Sequence, residues 1–141
     1  MGMPQFNGLT VCLQVGPTDE ALHFYEDLFG RSPDFSTHAD FHEWEISAGG
    51  WIQISTDNES PQVLPGRLRF DVPSIREAMA GLADLDVAIT ESFTLPGVVS
   101  IAEFEDPWGN KLGIYEDLAS TSEAPVYGGS SSDTSQYLPI A

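Results

Sequence analysis

The chain has 141 residues, with 22 Asp and Glu against 5 Lys and Arg, for a formal net charge of −17. That excess of carboxylates excludes nucleic acid as a ligand, because phosphate neutralisation needs a basic face, and it disfavours an anionic membrane surface. A cationic ligand suits the field better, although a charge of this size also serves solubility alone.

Apolar residues make up 41% of the chain, enough for a core in one domain of this length. The single cysteine, Cys12, rules out an intrachain disulfide and a cysteine-rich zinc site. It lies in an apolar run and reads as a small core or cleft residue. Met1 to Thr10 holds no basic residue and no signal-type apolar run. No apolar stretch approaches the roughly 18 residues of a membrane span. The expectation is a reduced, cytoplasmic protein.

In chain order, Val11, Leu13 and Val15 alternate with Thr10, Cys12 and Gln14 as a strand does. Pro17, Asp19 and Glu20 then open a helix, with Ala21, Phe24, Tyr25 and Leu28 on one face and Gly30 as its stop. Arg31 to Gln53 reads as two or three strands broken at Gly49-Gly50. A polar linker, Asp57 to Gly66, carries Pro61 and Pro65. Leu68, Phe70 and Val72 mark another strand, and Ser74 with Glu77 makes a capping-box start for a second helix faced by Ile75, Ala78, Met79 and Leu82. Val87 to Leu95, Val98 to Glu105 and Lys111 to Glu116 are strand candidates, turning at Pro96-Gly97 and at Asp106 to Asn110.

The elements repeat. A shift of 57 residues lays Val11 on Leu68, Leu13 on Phe70, Ala21 on Ala78 and Tyr25 on Leu82. Each half is a strand, a helix and about three strands, so the fold class is α+β, built from two βαβββ modules at about 8–56 and 66–116. Residues 1–116 form one domain. Residues 117–141 are a Ser/Gly-rich tail without a basic residue. Val126, Tyr127, Tyr137, Leu138 and Ile140 are the side chains by which it would dock.

Two segments resemble known signatures. Ala21 to Gly30, with Phe24-Tyr25, resembles the A-x-x-F-Y-x-x-x-L-G helix of the vicinal oxygen chelate superfamily, which includes glyoxalase I, bleomycin-resistance proteins and extradiol dioxygenases. Phe104 to Asn110 resembles its F-x-D-P-x-G-N turn. With the 57-residue repeat between them, the resemblance covers roughly Gly8 to Glu116. The resemblance implies a cupped sheet with helices outside and a ligand in the cup. It also implies metal ligands at positions that fall here on Thr10, near Gln53, on Arg67 and on Gly113. A hydroxyl, a guanidinium and a missing side chain cannot form that triad, and a one-residue slip would turn each side chain to the other face. His38 and His42 are four apart in strand-like sequence, about 13 Å along one face, and read as surface or groove residues. His23 reads as a solvated helix residue. No metal, cofactor or catalytic residue is assigned.

Alternation gives the cup Thr10, Cys12, Gln14, Phe41, Glu43, Glu45, Trp51, Gln53, Ser55, Arg67, Arg69, Asp71, Lys111 and Tyr115. Trp108 adds an indole in a turn. Arg67 and Arg69 read as partners of Asp71, Glu43 or Glu45, or as a clamp for a carbonyl or carboxylate. Phe93 and Phe104 divide between core and cup. This lining suits a flat polar organic molecule. The expected protein resembles the metal-free bleomycin-resistance branch. It would bind an aromatic or cationic natural product in a groove between the two subunits of a homodimer, with no nucleic-acid or membrane partner. Two other readings stand beside it: an enzyme with relocated metal ligands, and an interaction module whose groove is filled by a tail.

Overall fold

Tyr25 and Trp44 decide how the first module folds. Tyr25 recurs at helical spacing with Ala21, and both are buried. Trp44 sits in a strand with its ring 6.3 Å from Tyr25 and 5.2 Å from Phe29. Its indole nitrogen donates to Arg31 O, so the one polar atom of the ring is satisfied inside the core. The computed structural model that shows this describes residues 2–119 and 123–140. It divides into two compact units, Met1–Leu64 and Pro65–Ala141, and the boundary falls in the polar linker expected there.

The first unit runs β1 (Leu9–Gln14), α1 (Thr18–Phe29), β2 (Phe35–His38), β3 (Phe41–Ser47) and β4 (Gly50–Ser55). Its sheet has the order β1-β4-β3-β2, with β1 parallel to β4 and the rest antiparallel. Leu13, Val15, Trp44, Ile52 and Ile54 are buried on the α1 side. Gly30 ends α1 at φ 73°, a left-handed conformation that costs glycine least, and its amide closes on Glu26 O.

The second unit repeats the plan: β5 (Leu68–Asp71), α2 (Ile75–Asp84), β6 (Glu91–Leu95), β7 (Val99–Glu105) and β8 (Lys111–Asp117), in the order β5-β8-β7-β6. Ser74 Oγ accepts the Glu77 amide as the cap of α2, and the Glu116 carboxylate accepts the Ile75 amide. Ile75, Leu82, Ala102, Phe104, Leu112 and Ile114 form the core. The shift of 57 residues carries α1 onto α2 and β3 onto β7 within a residue or so, but β4 lies 61 residues before β8. The extra length is the Asp106–Asn110 turn. There Asp106 Oδ1 accepts the amides of Trp108 and Asn110, and Oδ2 accepts Asn110 Nδ2. Both residues are buried, so the second signature is a sealed Asx turn.

The structure corrects several expectations. Val87 to Thr90 is not strand, and β6 starts at Glu91. Cys12 is exposed and not in the core. His42 is a core residue, 7% exposed, and not a groove residue. Its Nε2 lies 3.0 Å from Ala39 O, which can only accept, so that nitrogen carries a proton, while Nδ1 pairs with Ser36 Oγ. His38 and His42 lie on different strands rather than on one extended run.

After β8 the tail docks on β6. Thr94 and Leu138 exchange backbone hydrogen bonds of 2.6 and 2.8 Å, and Tyr137 stacks on Phe93 at 4.3 Å. Tyr127 Oη donates to Pro96 O. Val126, expected as an anchor, is instead 97% exposed among the described residues.

Replacing Asp106 by Ala removes the acceptor of three hydrogen bonds in a buried turn. The expected loss is about 3 kcal/mol, read as a lower urea midpoint, with Asp106→Asn intermediate.

Candidate functional site

In the first unit, strand register assembles the face turned away from α1. One row is Thr10, Trp51 and Glu45. The next is Cys12, Gln53, Glu43 and Phe35. The third is Gln14, Ser55, Phe41 and His38. Because pleated strands alternate, burial of Leu13, Ile52, Ile54 and Trp44 on one side turns the members on β1, β3 and β4 to the other, while β2 lies beside them by register, with a shift between Phe35 and His38. The face carries three aromatic rings and two carboxylates, and no Lys or Arg belongs to the three rows. Gln53 Nε2 reaches Glu43 Oε1 only at 3.5 Å, the limit of a hydrogen bond. Glu45 Oε2 accepts the Gly49 amide at 3.1 Å. Desolvation raises the pKa of the Cys12 thiol above that of an ordinary cysteine, even though the residue is exposed, so it stays protonated at neutral pH.

In the second unit the face turned away from α2 is organised around Gly113. Arg69, Gly113, Glu103 and Glu91 form one row, and Asp71, Tyr115, Ile101 and Phe93 the next. Arg67 Nη2 lies 3.0 Å from Glu103 Oε2, and Arg69 Nη2 lies 2.6 Å from Glu103 Oε1. Arg67 Nη1 also donates to Leu112 O at 2.7 Å. One carboxylate thus bridges two guanidiniums across the strand that holds Gly113. A Cβ at that position would stand 3.1 Å from Arg69 Cγ and 3.2 Å from Ala102 O. The missing side chain makes room for the cluster. The expected acidic partners, Asp71, Glu43 and Glu45, are corrected to Glu103, since both arginines reach across β8 to β7.

Of the sequence-derived candidates, Thr10, Cys12, Gln14, Phe41, Glu43, Trp51 and Gln53 share the first face. Arg67, Arg69 and Tyr115 share the second. Trp108 stands apart in the turn after β7 and is half-buried. Phe104 is core, whereas Phe93 lies on the second face and is stacked by Tyr137. Glu103 and Phe35 were missed. The run Ile101, Glu103, Glu105 does place Glu103 on the same face as the arginines by alternation, but choosing it over Asp71 needs the strand order.

A metal ion does not fit the positions at which the superfamily resemblance implies one. Thr10 and Gln53 offer weak neutral oxygens, Gly113 offers no side chain, and Arg67 holds a fixed positive charge. Among the described residues no group of three or more His, Cys, Asp or Glu is placed to hold one.

The fold is shared with solved structures. A glyoxalase/bleomycin resistance protein from Catenulispora acidiphila DSM 44928 superposes with a TM-score of 0.66 at 22% identity, over 77% of this chain and 96% of that one. Lactoylglutathione lyase from Agrobacterium tumefaciens gives 0.65 at 17% identity, over 80% and 95%. A member of the glyoxalase/bleomycin resistance protein/dioxygenase superfamily from Sphaerobacter thermophilus DSM 20745 gives 0.61 at 20% identity, over 78% and 96%. No family model matches the sequence, and no curated protein does. The chain has the glyoxalase/bleomycin resistance fold, two βαβββ modules of an α+β protein. No helix among the described residues is long and apolar enough to cross a membrane.

Glu103→Ala strands two guanidiniums in a half-buried site. It is expected to cost about 3 kcal/mol of stability, whereas the triple change Arg67→Met, Arg69→Leu and Glu103→Leu restores most of it. Chemical denaturation of the two variants reads the difference directly.

Proposed function

We propose that the protein binds a small organic molecule carrying both an aromatic ring and a positive charge, without a metal ion, on the face of the first unit's sheet turned away from α1. The observation that carries this reading is the composition of that face. Trp51, Phe41 and Phe35 supply π-surfaces, and Glu43 and Glu45 supply charge. A cation beside an indole and a carboxylate is stabilised by both, and a net charge of −17 raises its local concentration. Thr10, Gln14 and Gln53 are neutral hydrogen-bonders that would fix orientation. The reading extends to sequestration of a natural product, as the names of the glyoxalase/bleomycin resistance neighbours suggest, and to a homodimer whose groove completes the site.

A cationic acridine titrated by calorimetry tests it. Saturable binding is expected, unchanged by a chelator. Trp51→Ala should weaken it tenfold or more, and Glu43→Gln several-fold with a shallower salt dependence. Equal affinity in Trp51→Ala, or equal affinity for an anionic analogue, would refute the reading. Light scattering settles the dimer, since the monomer mass is 15.3 kDa.

The same site predicts a chemical signature. Cys12 should alkylate more slowly than free glutathione at pH 8, because its pKa is raised. Bound acridine should slow it further. A rate unaffected by saturating acridine would place the ligand elsewhere.

A further inference from the structure

The tail does more than cover the edge of β6. Tyr127 Oη is tied to Pro96 O at 2.6 Å, Tyr137 Oη to Ser131 O at 2.7 Å, and Gln136 Nε2 to Gly128 O at 2.8 Å. Tyr127 and the Thr94–Leu138 bridge fasten the segment to the β6–β7 hairpin at two points, and the bonds of Tyr137 and Gln136 within the segment shape it as a frame. The frame encloses a cleft of about 410 Å³ floored by Leu95 and Val98 and walled by the two tyrosines. That size lies in the range of small-molecule sites.

Three features distinguish this cleft from the rest of the molecule. None of the residues that line it is charged, in a chain that carries 22 acids. The carboxylate of Asp133, in the same segment, is engaged by the Ser135 amide. Val126 stands at the rim with 97% of its surface exposed, an apolar side chain with nothing against it among the described residues.

The geometry points to a second small-molecule site, in the cleft between the tail and the β6–β7 hairpin, that takes an uncharged aromatic ligand. Both tyrosine hydroxyls are already bonded and Tyr137 stacks one ring face on Phe93, which leaves its other face and the Tyr127 ring to the ligand. Polar recognition falls to Ser131, Gln136 and the backbone of Gly128 and Gly129. None of the residues lining the cleft offers a carboxylate to a cation, so an uncharged ring suits it, whereas the first site favours a positive charge.

The test is a titration of the full chain with 2-naphthol, which is uncharged at neutral pH, followed by amide and methyl NMR. Saturable shifts are expected at the amides of Gly128 and Gly129 and the methyls of Leu95 and Val98, with the Trp51 amide unmoved. Val98→Glu, which adds a charge to the floor, and Val98→Phe, which fills it, should each weaken binding at least tenfold. Slow exchange of the Thr94 and Leu138 amides verifies that the tail stays docked in both variants. Shifts that do not saturate, or that spread over the surface, overturn the proposal. So does unchanged affinity in both variants, or an undocked tail in the native chain, shown by unprotected Thr94 and Leu138 amides.

Discussion

Each sheet has one face buried by a single helix, and that constraint fixes where every other strand side chain goes. Because the pleat has a period of two, placing Trp44 against Tyr25 commits Glu43 and Glu45 to the opposite side. Placing Phe104 and Ile114 in the core commits Glu103 and Tyr115 likewise. The chemistry of the binding face is therefore set by which residues alternate with the core. A polar residue there costs little, since it is not part of the packing that holds the helix. That is why faces of one fold can diverge in chemistry while their cores keep the same pattern.

The core and the order of elements were legible because they rest on local periodicity. Val11, Leu13 and Val15 announce a strand, and Ala21 with Tyr25 announces a helix, without any knowledge of partners. The face assignments for Thr10, Cys12, Gln14, Trp51 and Gln53 follow from the same alternation, and the register groups them as alternation requires. What escaped was set by strand order. Arg67 and Arg69 have acidic residues nearer in sequence than Glu103, but β8 lies between β5 and β7, and Gly113 in β8 leaves the path open. His42 was misjudged because its burial depends on Ser36 and Ala39, groups in β2 and the turn before β3. The tail was legible in composition only. Its frame depends on tyrosine hydroxyls finding main-chain carbonyls, which no periodicity announces.

The cluster around Gly113 bears on chemistry as well as stability. A divalent ion there would face two guanidiniums whose charge Glu103 only half neutralises, leaving the cluster at +1. A carboxylate already shared by two arginines is also a poor ligand, because coordination would require breaking at least one charge-assisted bond of 2.6 or 3.0 Å. Introducing a ligating side chain at Gly113 would meet Arg69 and the Ala102 carbonyl before it met a metal. Restoring a metal ligand at Gly113 would thus require changes at Arg69 and Glu103 together, since each of the three occupies space or charge that the others define.

The two faces then have different electrostatic characters. On the second unit the cations have acidic neighbours in place: Arg67 and Arg69 share Glu103, and Lys111 lies opposite Glu105 in register. On the first, Glu43 and Glu45 meet amide donors among the described residues, Gln53 and the Gly49 main chain. An amide dipole stabilises a carboxylate less than a full charge does, so a ligand cation has more to gain at Glu43 and Glu45 than at Glu103. It would displace weak bonds and form stronger ones. In the proposed reading the aromatic rings beside those carboxylates would exclude water from a bound cation and strengthen the same attraction. A preference for positive charge on the first face would then rest on the weak partners of these two carboxylates more than on the net charge of the chain.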